Sequence, residues 1–277
     1  MLFRSAAVTR IFSGAALIAI AILVVWFAPL PIFFIVAEIL LVLAFVEYSR
    51  IAAACGLPIP ALVAGAATLS TSIGITSTSW IGDDVVGTAV ALDAVLMTAF
   101  VLLAGLSLST WRGDRDALAR ASASIFPLLY IGLPIGALIA LRARRGPAVL
   151  FLLMLTIIVS DTAQYYTGRA FGRRKLAPAI SPKKTVEGAV GGFVFGALAL
   201  AVAGIWWLPS TPVAVRALLG VAVVMLGIAG DLFESMLKRS AGMKDSSSLI
   251  PGHGGVLDRI DALLFAAPVY YVVLKYV

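Results

Sequence analysis

The residues that could do chemistry are concentrated in the last third of the sequence. Asp231, Glu234 and Lys238 are three and four positions apart, so a helix would place them on one face. Asp258 and Asp261 are three apart at the start of the next apolar stretch. Carboxylates without thiols suit a hard cation such as Mg²⁺ rather than zinc. Together with Lys and Arg, such a cation is typical of phosphoryl or nucleotidyl transfer.

The connection between these two groups of acids, residues 235–258, is rich in charge and glycine. Glycines at 252, 254 and 255 allow the backbone to approach a ligand closely. His253 fits either a phosphate-positioning role or that of a hydrogen-bonded loop histidine. The charged and titratable residues of this segment are Lys238, Arg239, Lys244, Asp245, His253 and Asp258, and Arg259 follows directly.

Two upstream segments carry further polar residues. Asp161 and Tyr165 are four apart and share a helix face, with Gly168 expected to end that helix; a helix end with one hydrogen-bonded Asp is the simpler alternative. In the second segment, Ser181 is expected to cap a helix that has Lys183 and Lys184 in its first turn. Cations at a positive helix start suggest a docked polyphosphate, although lipid headgroups would also explain them.

The composition requires a membrane scaffold for these groups. Of the 277 residues, 61% are hydrophobic and 13% charged, and the mean hydropathy is +1.06. A soluble domain is about 25% charged, and disorder needs low hydrophobicity, so both classes are excluded. We predict an all-α, polytopic membrane helix bundle with about nine transmembrane helices. The apolar stretches are 11–28, 30–46, 58–77, 85–107, 121–141, 147–167, 187–208, 213–234 and 256–276.

The chain is expected to divide into an N-terminal transmembrane region, 1–150, and a C-terminal catalytic region, 151–277, with loops 168–186 and 235–258. A cytoplasmic N-terminus places 16 of the 21 Lys and Arg residues on the cytoplasmic side, including both loops. The net charge of +7 then reflects basic loops beside an anionic leaflet. No nucleic-acid-binding motif is visible, so nucleic acid is not an expected partner.

Residues 235–261, SMLKRSAGMKDSSSLIPGHGGVLDRID, resemble the signature of the phosphatidate cytidylyltransferases, or CDP-diacylglycerol synthases. That signature runs S-x-apolar-K-R, four residues, K-D, then P-x-H-G-G-apolar-x-D-R-apolar-D, and every defining position is filled. The stretches SPKKTVEG and DTAQYYTG resemble two further blocks of the family. Gln164 is a departure, because the family more often has Ala there. The resemblance covers roughly the C-terminal 120 residues.

The resemblance implies an enzyme of the bacterial-type inner membrane that joins CTP to phosphatidic acid, a membrane lipid, on the cytoplasmic side. It implies Mg²⁺ as cofactor, with room for a second cation such as K⁺, and leaves a homodimer open. The metal ligands would be Asp231 and Asp258, with Glu234 and Asp261 beside them. The catalytic residues would be Lys238, Arg239, Lys244, Asp245, His253 and Arg259. The CTP and phosphatidate contacts would be Asp161, Tyr165, Ser181, Lys183, Lys184 and Glu187.

Two other functions are alternatives to the cytidylyltransferase hypothesis. A CTP-dependent polyprenol or dolichol kinase would transfer the γ-phosphate to an alcohol, and the complete signature disfavours it. An ion-coupled transporter would use the buried acids as ion relays, but no inverted repeat is evident. The spaced D-x-x-D-G…G…D-x-x-x-D pattern of CDP-alcohol phosphotransferases is absent from the sequence.

Overall fold

A computed structural model describes residues 2–80, 92–250 and 252–277, and among these the side chains of residues 14–77, 92–250 and 252–277. Across this part of the chain the fold is all-α apart from one short β-hairpin, which confirms the predicted class. The helices are α1 (Leu2–Phe27), α2 (Leu30–Ala54), α3 (Ala61–Trp80), α4 (Leu92–Thr110), α5 (Ala117–Pro127), α6 (Leu133–Arg145), α7 (Pro147–Phe171), α8 (Val186–Trp207), α9 (Val213–Ser240) and α10 (Leu257–Tyr276). A π-helical turn, Leu128–Gly132, joins α5 to α6, and the hairpin consists of β1 (Lys175–Ala177) and β2 (Ser181–Thr185).

Every predicted apolar stretch overlaps a helix, although residues 85–91 of the fourth stretch lie outside the described residues. Six helical segments of the described chain are long and apolar enough to cross a membrane, so the count of nine is not confirmed. They are Leu30–Ala54, Leu92–Thr110, Ala117–Arg145, Pro147–Phe171, Val186–Trp207 and Val213–Ser240. Two shorter apolar helices, Gly14–Phe27 and Ala61–Ser77, and the charged α10 account for the difference.

The expected helix start at Ser181 is wrong. Residues Ser181–Thr185 form β2, which pairs antiparallel with β1, and α8 begins only at Val186. Thr185 has extended backbone angles, and its hydroxyl accepts a 3.1 Å hydrogen bond from Gly188 N, so Thr185 caps the helix. This start keeps Lys183 and Lys184 out of the first turn and puts Glu187 there, which suits the positive end of the helix dipole.

Two other predicted boundaries also move. Helix α7 runs past Gly168 to Phe171, so Gly168 does not end it. Gly168 instead faces the capping residue, because a Cβ built on it would lie 2.9 Å from Thr185 Oγ1. Helix α9 continues to Ser240, so the connection to α10 is shorter than the predicted loop 235–258.

Helices α7, α8, α9 and α10 pack against one another and carry most of the predicted site residues. Small residues bring α7 and α8 close, since a Cβ on Gly192 would lie 2.6 Å from Gln164 Cγ. Behind the site, the rings of Tyr130, Phe233 and Phe265 form a cluster with centroids 5.3 to 6.2 Å apart. This packed aromatic layer fixes the inner face of α9 and α10.

Candidate active site

A polar cavity of about 390 Å³ lies between α7, α9 and α10. Eight of the predicted site residues line it: Asp161, Asp231, Glu234, Lys238, Asp245, Asp258, Arg259 and Asp261. Its remaining walls are apolar side chains of α7 and α10, among them Ile157, Ile158 and Leu263. The acids predicted from two separate sequence segments therefore do converge on one site.

Helix α9 presents its polar residues as their spacing predicts. Lys238 Nζ lies 2.5 Å from Glu234 Oε2, and it also forms an ion pair with Asp258 Oδ1 across the cavity. Glu234 is 1% exposed and Lys238 is 7% exposed, so these charges are shielded from water. Because ion pairs gain strength in such an environment, Lys238 ties α9 to the start of α10.

Asp258 receives hydrogen bonds from the loop that precedes it. Its Oδ2 accepts from Ser246 N at 2.9 Å and from Gly255 N at 2.8 Å, and Ser246 Oγ lies 2.8 Å away. Gly254 has φ +78°, and a Cβ there would run into the Asp258 carboxylate, so this position requires glycine. The loop and the carboxylate are thus shaped to each other.

The hairpin delivers one lysine to the cavity edge. Lys184 Nζ lies 2.6 Å from Asp231 Oδ2, and both side chains retain some exposure. The neighbouring Lys183 is exposed and Ser181 only half-buried on the same strand. Glu187 does not reach the cavity, because its carboxylate accepts from Arg173 N at 3.0 Å and Arg174 N at 3.2 Å and closes the base of the hairpin.

Helix α7 contributes Asp161, whose Oδ1 accepts a 3.1 Å hydrogen bond from Gln164 Nε2. The same amide also donates to Ser160 Oγ at 3.2 Å. Gln164, the departure from the family pattern, therefore orients an acid of the site. Tyr165 is 60% exposed and does not line the cavity; its ring packs edge-on against Tyr166.

Three predicted residues of the loop region lie apart from the cavity lining. Arg239 donates to Met243 O at 3.0 Å, which closes the end of α9. Lys244 is exposed on the loop. His253 turns towards α1, where its Nε2 would lie 3.3 Å from a Cβ on Gly14.

Glu47 was missed by sequence reasoning. It lies on α2, 2% exposed, and its carboxylate accepts hydrogen bonds from Ser246, Ser247, Val256 and Leu257. Glu47 directly follows the second apolar stretch, so it looks like an ordinary interfacial acid. The one available signal was an acid at the edge of an apolar run, which is costly without a partner.

The donor set fits a hard cation. The titratable acids of the cavity offer only carboxylate oxygens, and Glu234 Oε1 is buried without a hydrogen-bond partner in the described part of the structure. As they stand, no three Asp, Glu, His or Cys side chains of the described residues group closely enough to hold a metal. Mg²⁺ usually takes one or two protein carboxylates and completes its shell with water and substrate phosphates.

Fold and site define an integral membrane protein whose polar cavity is lined by carboxylates and bridged by lysines. The cytidylyltransferase family profile matches residues 8–277, and the chain belongs to this family. A phosphatidate cytidylyltransferase of Staphylococcus saprophyticus is 32% identical over 218 residues, covering 79% of this chain and 80% of that protein.

Other relatives match over shorter stretches. A phosphatidate cytidylyltransferase of Haemophilus influenzae is 50% identical over 129 residues, 44% of each chain. One of Aquifex aeolicus is 40% identical over 151 residues, 54% of this chain and 56% of that protein. The chain thus spans about half the length of several curated relatives that it matches.

Proposed function

We propose that this protein transfers the cytidylyl group of CTP to phosphatidic acid, giving CDP-diacylglycerol and pyrophosphate. The observation that carries the proposal is the convergence of the family signature with Asp161 and Asp231 on one cavity between α7, α9 and α10. The family match and relatives named phosphatidate cytidylyltransferase support it. Apolar walls beside the acids suit a substrate whose acyl chains stay in the membrane.

In this reaction a phosphate oxygen of phosphatidate attacks the α-phosphorus of CTP. A new P–O bond forms, the bond from the α-phosphorus to the bridging oxygen breaks, and pyrophosphate leaves with that electron pair. The nucleophile is already an anion, so no strong base is required. The protein must instead hold two polyanions in line and neutralise the leaving pyrophosphate.

Lys184 and Arg259 are proposed to contact phosphates, since both lie at the cavity and both are partly or fully exposed. Ser181 and Lys183 would extend this surface along β2 instead of along a helix start. Arg239, Lys244, Asp245 and His253 would complete the loop around the nucleotide, and Tyr165 and Glu187 would border it. Asp161 would hold the nucleotide side of the pocket.

We propose that Asp231 and Asp258 hold Mg²⁺, with Glu234 and Asp261 adjacent, and that a second cation such as K⁺ accompanies it. The all-oxygen donor set supports this. When bound, Mg²⁺ would neutralise phosphate charge and orient the leaving group. Lys238 would keep Glu234 and Asp258 at their positions on the cavity wall.

Nine spans, a cytoplasmic site in a bacterial inner membrane and a homodimer belong to the same proposal. The nine predicted stretches all overlap helices, and the charge bias of the loops supports the orientation. Light scattering of the detergent-solubilised protein would test the homodimer.

The test is a turnover assay with purified protein, CTP, phosphatidate and Mg²⁺, scored for pyrophosphate and CDP-lipid. Asp231→Asn and Asp258→Asn should each abolish Mg²⁺-dependent product while the protein still folds. Asp114→Asn, an acid paired with Arg120 away from the cavity, is the matched control. Near-normal turnover in either site variant would refute the metal assignment. Release of CDP instead of pyrophosphate would identify a lipid kinase, and ion flux without CTP turnover a transporter.

A further inference from the structure

Glu47 is an acid of the N-terminal half that is buried against the signature loop. It sits near the end of α2, and its side chain contacts residues about 200 positions further along the chain. Ser247 Oγ donates to its Oε1 at 2.7 Å, and Ser246 Oγ lies 2.8 Å from its Oε2. With 2% exposure the carboxylate is removed from water, so these contacts replace its hydration.

The same carboxylate holds the beginning of α10. Val256 N donates to Oε1 at 3.0 Å and Leu257 N donates to Oε2 at 2.8 Å. The first N–H groups of a helix have no partner within the helix, and an anion there also meets the positive end of the dipole. Glu47 therefore caps α10 from another helix.

The link from Glu47 to the cavity is short. Ser246 Oγ lies 2.8 Å from both Glu47 Oε2 and Asp258 Oδ2, so the hydroxyl stands between the two carboxylates and donates its single proton to one of them at a time. Gly255 leaves no room for a side chain here, since a Cβ would run into both Ser246 Oγ and the Glu47 carboxylate. A shift of Glu47 must therefore move the loop that aims Asp258.

We infer that Glu47 is a positioning residue for the transfer reaction: it holds Ser246, Ser247 and the start of α10 in place so that Asp258 faces the cavity. This inference rests on the proposed function. Glu47 does not line the cavity, so it acts through Ser246 and Asp258 and not on substrate. Its position ties α2, which otherwise looks like plain membrane scaffold, to the reaction.

Glu47→Gln is the sharpest test, because it keeps the shape but replaces one acceptor oxygen by a donor NH₂. That NH₂ faces either Val256 N–H or Leu257 N–H, so one capping bond is lost. We expect kcat to fall about 10- to 100-fold, which is the usual effect of removing a hydrogen-bond partner that orients a metal-binding side chain. The KM for CTP should stay within about threefold of the wild-type value.

Glu38→Gln is the matched control on the same helix. Its carboxylate accepts a 2.7 Å hydrogen bond from Ser72 Oγ on α3, so kcat should stay within about twofold of wild type. If Glu47→Gln also stays within twofold, or if both variants lose activity equally, the inference is wrong.

A second readout does not depend on turnover. Lys244 is exposed two residues before Ser246, which Glu47 contacts, so trypsin should cleave after Lys244 faster in Glu47→Gln than in wild type or Glu38→Gln. Equal cleavage rates in Glu47→Gln and wild type would refute the positioning role of Glu47 even if the wild-type protein formed no CDP-lipid. An inactive wild type with faster cleavage in Glu47→Gln would instead refute only the proposed function.

Ser247→Ala keeps the inference testable if Glu47→Gln does not fold. It removes one hydrogen bond to Glu47 and no charge. We expect a several-fold lower kcat and faster cleavage after Lys244, with little change in thermal stability. Unchanged kcat and cleavage in Ser247→Ala would overturn the inference.

Discussion

Replacing Lys238 by methionine should destabilise the protein because it strands a buried acid. At 2.5 Å, two unit charges attract by about 6–7 kcal/mol at an effective dielectric constant of 20. Desolvation offsets part of this, and removing one partner of a buried pair typically costs about 3–5 kcal/mol. We therefore expect Lys238→Met to lower the free energy of unfolding by about 3 kcal/mol or more.

Glu234 is the acid that the loss of Lys238 would leave without a partner. Asp258 keeps its bonds from Ser246 and Gly255 when Lys238 is gone, whereas Glu234 Oε1 is already without a partner among the described residues. The second substitution Glu234→Gln should thus restore more than about 1 kcal/mol in the Lys238→Met background. Asp258→Asn should restore less stability, because the Asp258 carboxylate of the Lys238→Met variant still accepts hydrogen bonds from the loop.

Unfolding in mixed detergent micelles, followed by tryptophan fluorescence, measures these differences. Lys275→Met is the control, since Lys275 is an exposed lysine in the last turn of α10. Two results would contradict the reasoning: a Lys238→Met loss below about 1 kcal/mol, or equal rescue by Glu234→Gln and Asp258→Asn. Either would mean that the pair is effectively in contact with water.

Three further outcomes follow from the hairpin and from α2. Lys184→Ala should raise KM for CTP about tenfold, or ~1.4 kcal/mol, in steady-state assays, while Lys183→Ala should change it less than threefold; equal effects would contradict the assigned roles. Thr185→Ala should cost about 0.5–2 kcal/mol of stability through the lost cap, with Ser181→Ala, which caps nothing, near neutral by thermal unfolding. Cys55, exposed just beyond α2, should react with an impermeant maleimide in inside-out vesicles but not in spheroplasts, and the reverse pattern would refute a cytoplasmic site.

The cavity acids were predictable because their spacing follows the helix repeat. Asp231, Glu234 and Lys238 share a face whatever surrounds α9, and the start of α10 carries Asp258 and Asp261 in the same way. The spacing places these acids at two helix ends beside one loop, and in the structure an ion pair between Lys238 and Asp258 joins those two helices. Local periodicity therefore sufficed for this part of the site.

The hairpin was not predictable from the same signals. Ser181-Pro182 and Thr185 are both valid helix starts by residue type, and propensity alone does not choose between them. Contacts at the base of the hairpin decide that α8 starts after Thr185. The Glu187 carboxylate accepts hydrogen bonds from Arg173 N and Arg174 N, and Val186 N donates to Arg174 O at 2.9 Å. These contacts exist only once the segment folds back on itself.

Long-range contacts are the other class that the sequence does not reveal. Glu47 and Ser247 are 200 residues apart, and no periodicity relates them. The contact between His253 and α1 is of the same kind. Such pairs depend on which helices become neighbours, and several arrangements of apolar helices bury similar area in a bilayer.

Lys238 and Lys184 differ in burial and therefore in how easily a substrate could displace their partners. Lys238 is buried between two carboxylates on rigid helices, so moving it would strand Glu234 in an apolar wall. Lys184 approaches Asp231 from a two-stranded hairpin at the cavity edge and keeps 21% side-chain exposure. An incoming triphosphate can therefore compete with Asp231 for Lys184 at little cost in free energy. Competition for Lys238 would instead leave the Glu234 carboxylate buried without its ion-pair partner. For this reason we propose that Lys184 contacts the substrate and that Lys238 holds Glu234 and Asp258 in place.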